Sequence, residues 1–110
     1  MAGFYRTPID IGSAGEKAVV ADLQAKGFVV TRWDTRGPGS TDIEALSQRG
    51  RILVQVKTSV WPSQPADLSP MEGASLRRRA GQLGAQAIHA KVVLGPIALE
   101  TQAIGYVTVN

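Results

Sequence analysis

The chain has 110 residues, no cysteine, and twelve Lys and Arg against nine Asp and Glu, for a net charge of +3 and a pI near 9.7. That length suits one domain, which buries roughly two-thirds of its unfolded surface without staples, and the missing thiols exclude disulfides and thiolate metal sites and suit a reducing cytoplasm. A hydrophobic share of 44% excludes a disordered chain, the opening MAGFYRTPIDIG lacks a signal peptide's apolar run and no stretch is long enough to span a bilayer, and the mild positive excess permits nucleic-acid binding without demanding it.

Residues 1–12 carry little pattern and read as a leader. Ser13 and Glu16 form an S-x-x-E capping box, which predicts a helix from Ala14 to about Lys26 with Gly27 as its stop. A β-rich run follows at Phe28 to Trp33, then a Gly/Pro-rich loop at Arg36-Gly37-Pro38-Gly39-Ser40. Thr41 to Ser47 and Arg51 to Ser59 read as two strands of a hairpin turning near Arg49-Gly50. Residues 60–68 carry two prolines and read as a loop. Ser69 and Glu72 then form a second capping box with Pro70 at the first helical position. In the helix that follows, Leu76, Ala80, Leu83 and Ala87 fall on one face. Ile88 to Leu94 and Ile104 to Val109 are two further strands. The order αβββαββ implies a single α/β domain over 1–110, with its core at about 13–95, an extra strand at about 103–109 and a mixed sheet.

Strand alternation sorts the hairpin's side chains by face. Ile52, Val54 and Val56 point one way, and Leu53, Gln55 and Lys57 the other; Ile43 and Ala45 oppose Asp42, Glu44 and Leu46. If the apolar sets share one core, Asp42 stands opposite Gln55 or Lys57. On the first helix Glu16 falls among Val19, Val20 and Leu23, the stripe expected to face the sheet. Each residue has a plainer reading: a cap for Glu16, a solvated strand end or an ion pair with Lys57 for Asp42, and an ordinary polar sheet face for Gln55 and Lys57. As an ordered set they point to phosphodiester hydrolysis. A hard divalent cation such as Mg²⁺ or Mn²⁺ takes oxygen ligands, which the Asp42 carboxylate, the Gln55 amide and the Val56 backbone carbonyl supply. Glu16 adds a carboxylate that reaches the ion through water or holds a second one. Lys57 is placed to orient the attacking water or to stabilise developing negative charge.

The order Glu16, Asp42, Gln55-Val56-Lys57 resembles the PD-(D/E)xK nuclease superfamily, whose restriction-endonuclease-like core is αβββαβ. The resemblance spans roughly residues 11–95 and is nearest in layout to archaeal Holliday-junction resolvases. There a Glu-bearing helix ends at a Lys-Gly-Phe-like stop (here Lys26-Gly27-Phe28), and a Gly-rich loop precedes the Asp. Mrr-like restriction-nuclease domains are similar and tolerate Gln at the second motif position. The resemblance implies Asp42 as metal ligand, Gln55 as a weaker one, Lys57 as catalytic lysine and Glu16 as an acid that binds the ion or supports its ligands. Thr41 stands where the motif has Pro, and Gln55 replaces a carboxylate, so the site carries one negative charge less.

Arg32, Arg36, Arg49 and Arg51, with Ser40 and Thr41 in the loop, are the expected contacts to a DNA backbone. Arg77-Arg78-Arg79 reads as a solvated helix surface, with contacts to phosphates as the alternative, Trp61 as packing beneath its loop before stacking on a base, and His89 as a structural histidine. Ala14, Ala18, Ala21 and Ala25 form a small-residue stripe opposite Glu16 that could admit a partner helix. The expected protein is a cytoplasmic, Mg²⁺- or Mn²⁺-dependent endodeoxyribonuclease acting on DNA, branched DNA in particular, as a homodimer matched to a junction's two-fold symmetry. Its rivals are a Mrr-like restriction or repair nuclease, a non-catalytic DNA-binding module that keeps the fold, and a small protein-interaction unit.

Overall fold

Seven elements follow one another in the computed structural model: α1 (Pro8–Ala25), β1 (Val29–Trp33), β2 (Asp42–Ser47), β3 (Gly50–Val60), α2 (Pro70–Leu83), β4 (Ala85–Leu94) and β5 (Thr101–Thr108). The structure describes residues 7–33 and 42–110, and for Ile9 and Asp42 the backbone alone. The order αβββαββ is the expected one. The strands form one mixed sheet in the order β1-β2-β3-β4-β5. All neighbours are antiparallel except β3 and β4, which run parallel. A parallel pair cannot be closed by a tight turn, and α2 is the crossover that joins it.

Each face of the sheet carries one helix. Val19 and Leu23 of α1 pack on Ile43, Ala45, Val54, Ala90, Val92 and Leu94. Leu76 and Ala80 of α2 pack on Leu53 and Ala87. The middle of β3 is therefore apolar on both faces, until Gln55 and Lys57 break the pattern on the α2 side. Among the described residues no helix is long and apolar enough to cross a membrane.

Three expectations shift. The first helix begins at Pro8, not Ala14, because Thr7 and Asp10 form a reciprocal capping box ahead of Ser13 and Glu16, with Pro8 in the first turn. Residues 8–12, read as leader, are helical, and Ile11 packs against the core. Ala14 and Ala18 also pack there, so half of the alanine stripe faces the sheet and not a partner. The second helix starts as expected, at the Ser69–Glu72 box. It stops at Gly84, whose φ of 65° is left-handed, so Ala87 lies on β4, where it meets the Leu76/Ala80 stripe from the sheet side.

One contact sets how deeply α1 sits. A Cβ on Gly15 would fall 1.9 Å from Thr58 Oγ1 and 2.8 Å from Thr58 Cβ. Only a glycine lets the helix backbone approach β3 this closely, and Glu16 is the next residue.

Candidate active site

The β2–β3 register makes Asp42 and Gln55 Cα partners, with Ile43 opposite Val54 and Glu44 opposite Leu53. The parallel ladder continues the line from Gln55 to His89, and the last ladder from His89 to Val107. Asp42, Gln55, His89 and Val107 thus form one row across four strands, each step about 4.8 Å. The next row on this face holds Lys57, Lys91 and Gly105. The row on the other side is Leu53 and Ala87, buried under Leu76 and Ala80. Polar chemistry begins where the cover of α2 ends.

Gln55 and His89 are almost completely buried, at 5% and 4% exposure. His89 Nε2 is buried with no hydrogen-bond partner among the described residues. Burial, and then the Lys91 ammonium, hold its pKa below the usual imidazole value.

Lys57 is half-buried, and its Nζ donates to Glu72 Oε2 at 2.7 Å. The other oxygen of Glu72 accepts from the Ser69 backbone N–H at 2.8 Å. One carboxylate therefore caps α2 and positions Lys57. The Lys57 hydrogen bond, then the Ser69 one, hold the Glu72 carboxyl below the ordinary carboxylate range. Lys91 is tied in the same way to Asp67 on the segment leading into α2. Glu72 was legible only as a helix cap. A capping-box Glu spends one oxygen on the backbone, and the other was free for a cation on the strand beneath.

Glu16 approaches from the opposite face. Its Oε1 accepts from Trp33 Nε1 at 3.3 Å, and Trp33 pairs with Ile43, the residue after Asp42. Glu16 thus reaches the end of the sheet where β2 begins, on the α1 side, while Gln55 and Lys57 lie on the α2 side. Val56 sits just past the last β2–β3 pair, with Ala90 as its β4 partner. Among the described residues no three His, Cys, Asp or Glu cluster closely enough to hold a metal ion. What the strands bring together by register is Asp42, Gln55 and the Val56 backbone, residue types that offer oxygen donors.

The expected DNA contacts separate. Arg32 is exposed on β1, paired in register with Glu44. Arg49 and Arg51 lie at the turn end of the hairpin, six and four residues or about 20 and 13 Å of strand from Gln55, because antiparallel pairing carries sequence neighbours of the turn away from Asp42. Arg51 is engaged there, donating from Nη1 to the Leu83 carbonyl at 3.0 Å and lying 4.0 Å from Glu44 through Nε. Arg36, Ser40 and Thr41 lie outside the described residues. Arg77 and Arg78 are exposed, while Arg79 Nε donates to Ser75 Oγ at 3.3 Å. Trp61, expected beneath its loop, is 54% exposed.

No family model matches the chain, and no curated protein does. Among solved structures it is similar to Archaeoglobus fulgidus Hjc, a Holliday junction resolvase from an archaeal hyperthermophile. The two superpose with a TM-score of 0.62 at 26% identity, over 89% of this chain and 72% of that one.

Proposed function

The chain belongs to the restriction-endonuclease-like superfamily of nucleases, and on that premise we propose that it is a metal-dependent endodeoxyribonuclease, structure-specific in the manner of a Holliday-junction resolvase. The observation that carries this reading is the pairing of Asp42 with Gln55, with Lys57 two residues on along the same face of β3.

Hydrolysis of a phosphodiester needs a water delivered in line with the leaving oxygen and compensation for charge on the phosphate. Asp42, Gln55 and the Val56 carbonyl would hold Mg²⁺ or Mn²⁺, with Glu16 as the further acid. When bound, such an ion supplies charge neutralisation at the phosphate and a more acidic water. The chain's own contribution is positional. Glu72 holds the Lys57 ammonium at a defined place on the face where Gln55 lies. From there Lys57 orients the attacking water or stabilises the negative charge that develops on the phosphate oxygens. With an amide in place of a carboxylate at Gln55, the site binds its ion weakly, and this favours a working requirement for high Mg²⁺ or for Mn²⁺. A resolvase-like activity recognises DNA by shape and backbone, and a four-way junction's symmetry calls for a homodimer.

The neutral Gln55 also supports a second reading, a DNA-binding descendant that no longer cleaves, and the Mrr-like restriction or repair nuclease stands between the two. A cleavage assay on labelled four-way junction, duplex and single-stranded DNA, with Mg²⁺, Mn²⁺ or EDTA, separates them. Symmetric nicking of the junction, lost in EDTA, in Asp42→Ala and in Lys57→Ala with DNA affinity retained, is the expected result. Cleavage of plain duplex indicates the restriction-like activity. Intact binding with no cleavage under any condition sinks the enzyme and leaves the binding module.

A further inference from the structure

Beside the Gln55–His89 row, where α2 begins, the surface opens into a pocket of about 470 Å³. It lies between the start of α2 and the β4–β5 ladder, with His89 and Lys91 from β4, Thr108 from β5, and Gly73 and Arg77 from α2 among its lining residues. Three features distinguish it from an ordinary surface hollow. His89 is 96% buried there, since its exposure is 4%, and its Nε2 has no hydrogen-bond partner among the described residues. An orphaned buried polar atom carries a desolvation cost that a ligand would remove. Gly73 is buried, and a Cβ on it would lie 3.5 Å from Arg77 Nη1 and 3.8 Å from Val109 Cγ1. The missing side chain keeps space open directly under the guanidinium. Arg77 is exposed, and no carboxylate among the described residues pairs with it.

The charges favour one ligand class. Arg77 offers a planar fork of donors, and Lys91 a point charge. The acid that faces them from the pocket wall, Asp67, is bound to Lys91 but is itself largely exposed, with 83% of its side chain in solvent. Such an exposed pair is weak and readily exchanged. The positive end of the α2 dipole points the same way, although the Ser69 hydroxyl already takes the Glu72 amide. We propose that this pocket is a phosphate-binding subsite, in which Arg77 and His89 hold the phosphate oxygens and Lys91 exchanges Asp67 for the incoming anion. The site shares His89 with the Asp42–Gln55 row but does not require that row to cleave. Its phosphate is either a diester of a DNA strand lying along the α2 face or the terminal phosphate of a nucleotide.

The test is an NMR titration of the ¹⁵N-labelled full chain in EDTA, at fixed pH and constant ionic strength. The probes are inorganic phosphate and a short single-stranded oligonucleotide with or without a 5′-phosphate. Saturable shifts at the His89 ring and the Gly73 and Thr108 amides are expected. They should weaken about tenfold in Arg77→Ala, the loss of one charge-assisted contact, and likewise in His89→Gln. Arg77 is a surface residue, so its replacement leaves the fold intact. Equal response to both oligonucleotides assigns the diester; response only to the 5′-phosphorylated one assigns the terminal group. Shifts no larger than those from chloride at equal ionic strength, or shifts unchanged in Arg77→Ala, overturn the proposal. Because metal is absent throughout, either result is independent of whether the protein cleaves DNA.

Discussion

Asp42 and Gln55 face each other across the first pair of the β2–β3 ladder, and Gln55 lies in turn beside the buried His89 of β4. An amide in this slot needs no counter-charge, whereas a carboxylate 5% exposed would. Gln55→Glu should therefore have opposite effects with and without metal. In EDTA the variant loses about 1–3 kcal/mol of stability, the cost of a poorly compensated buried polar or charged group. With Mg²⁺ the added charge tightens binding, and the half-saturating concentration falls about tenfold, or roughly 1.4 kcal/mol. Thermal melts in EDTA and across a Mg²⁺ series read both. A variant destabilised equally in the two conditions would mean that residue 55 does not face an ion.

Glu72 links the cap of α2 to Lys57, and its carboxyl is held below its ordinary value of 4.5 by Lys57 first and by Ser69 second. A folded-state pKa below the unfolded one means that the unfolded chain takes up the proton more readily. The contribution is fully present above about pH 4.5 and is lost as pH falls through the lower folded value. Glu72→Gln keeps a capping side chain but removes the charge, so it should flatten the acid limb of the stability profile below pH 4.5 relative to the parent. At neutral pH the expected loss is about 0.5–1 kcal/mol, that of a partly exposed ion pair. Urea midpoints at several acid pH values check this. An unchanged acid limb would show that the Lys57–Glu72 contact does not persist in solution.

The order of elements and the face assignments were legible because alternation in β3 and the two strong caps are local signals. Ile52, Val54 and Val56 declare the α1 face, and Ser69-Pro70-Met71-Glu72 declares the start of α2. The start of α1 was obscured because Thr7-x-x-Asp10 is a weaker match to a capping box than Ser13-x-x-Glu16, and both lie in the same chain segment. Sequence proximity misled for Arg49 and Arg51, since an antiparallel hairpin sends its turn to the end away from Asp42. The cross-sheet row was half visible. A hairpin register follows from the pattern of its own two strands, but Gln55 and His89 are 34 positions apart in sequence and are paired through a parallel crossover, and no local rule sets that register.

Arg51 and Arg32 give contrasting expectations for DNA binding. The Arg51 guanidinium is committed to the Leu83 carbonyl at the end of α2. Arg51→Ala should cost about 0.5–1.5 kcal/mol of stability, one hydrogen bond's worth, and leave DNA affinity within about twofold. Arg32 is exposed on β1 near Trp33, at the end of the sheet where β2 begins. Arg32→Ala should leave stability unchanged, weaken DNA binding, and reduce the slope of log affinity against log salt by about 1, as one lost phosphate contact does. Fluorescence-anisotropy titrations over a salt series distinguish the two. The reverse result would put the DNA at the hairpin turn.

Gly15 tests whether the depth of α1 matters to the site. In an exposed helix Gly→Ala stabilises by up to about 1 kcal/mol. Here the new methyl would meet Thr58 Oγ1 at 1.9 Å, Cγ2 at 2.7 Å and Cβ at 2.8 Å. Rotating a short β-branched side chain cannot clear its own Cβ, so α1 must lift from β3. Overpacking of this kind costs about 1–3 kcal/mol, which exceeds the gain in propensity, and Gly15→Ala should be net destabilising. The displacement is transmitted to the next residue. Glu16 should lose its 3.3 Å hydrogen bond from Trp33 Nε1, visible as a shift of the Trp33 indole N–H resonance. Thr58→Gly removes Oγ1, Cγ2 and Cβ together, so Gly15→Ala should cost far less in that background than in the parent, with a coupling energy of about 1–2 kcal/mol in a double-mutant cycle. If cleavage follows the Trp33 signal, falling in Gly15→Ala and returning in the double variant, then Glu16 acts on the site through its position at the start of β2. If stability recovers while cleavage never changes, Glu16 is a structural partner of Trp33 and nothing more.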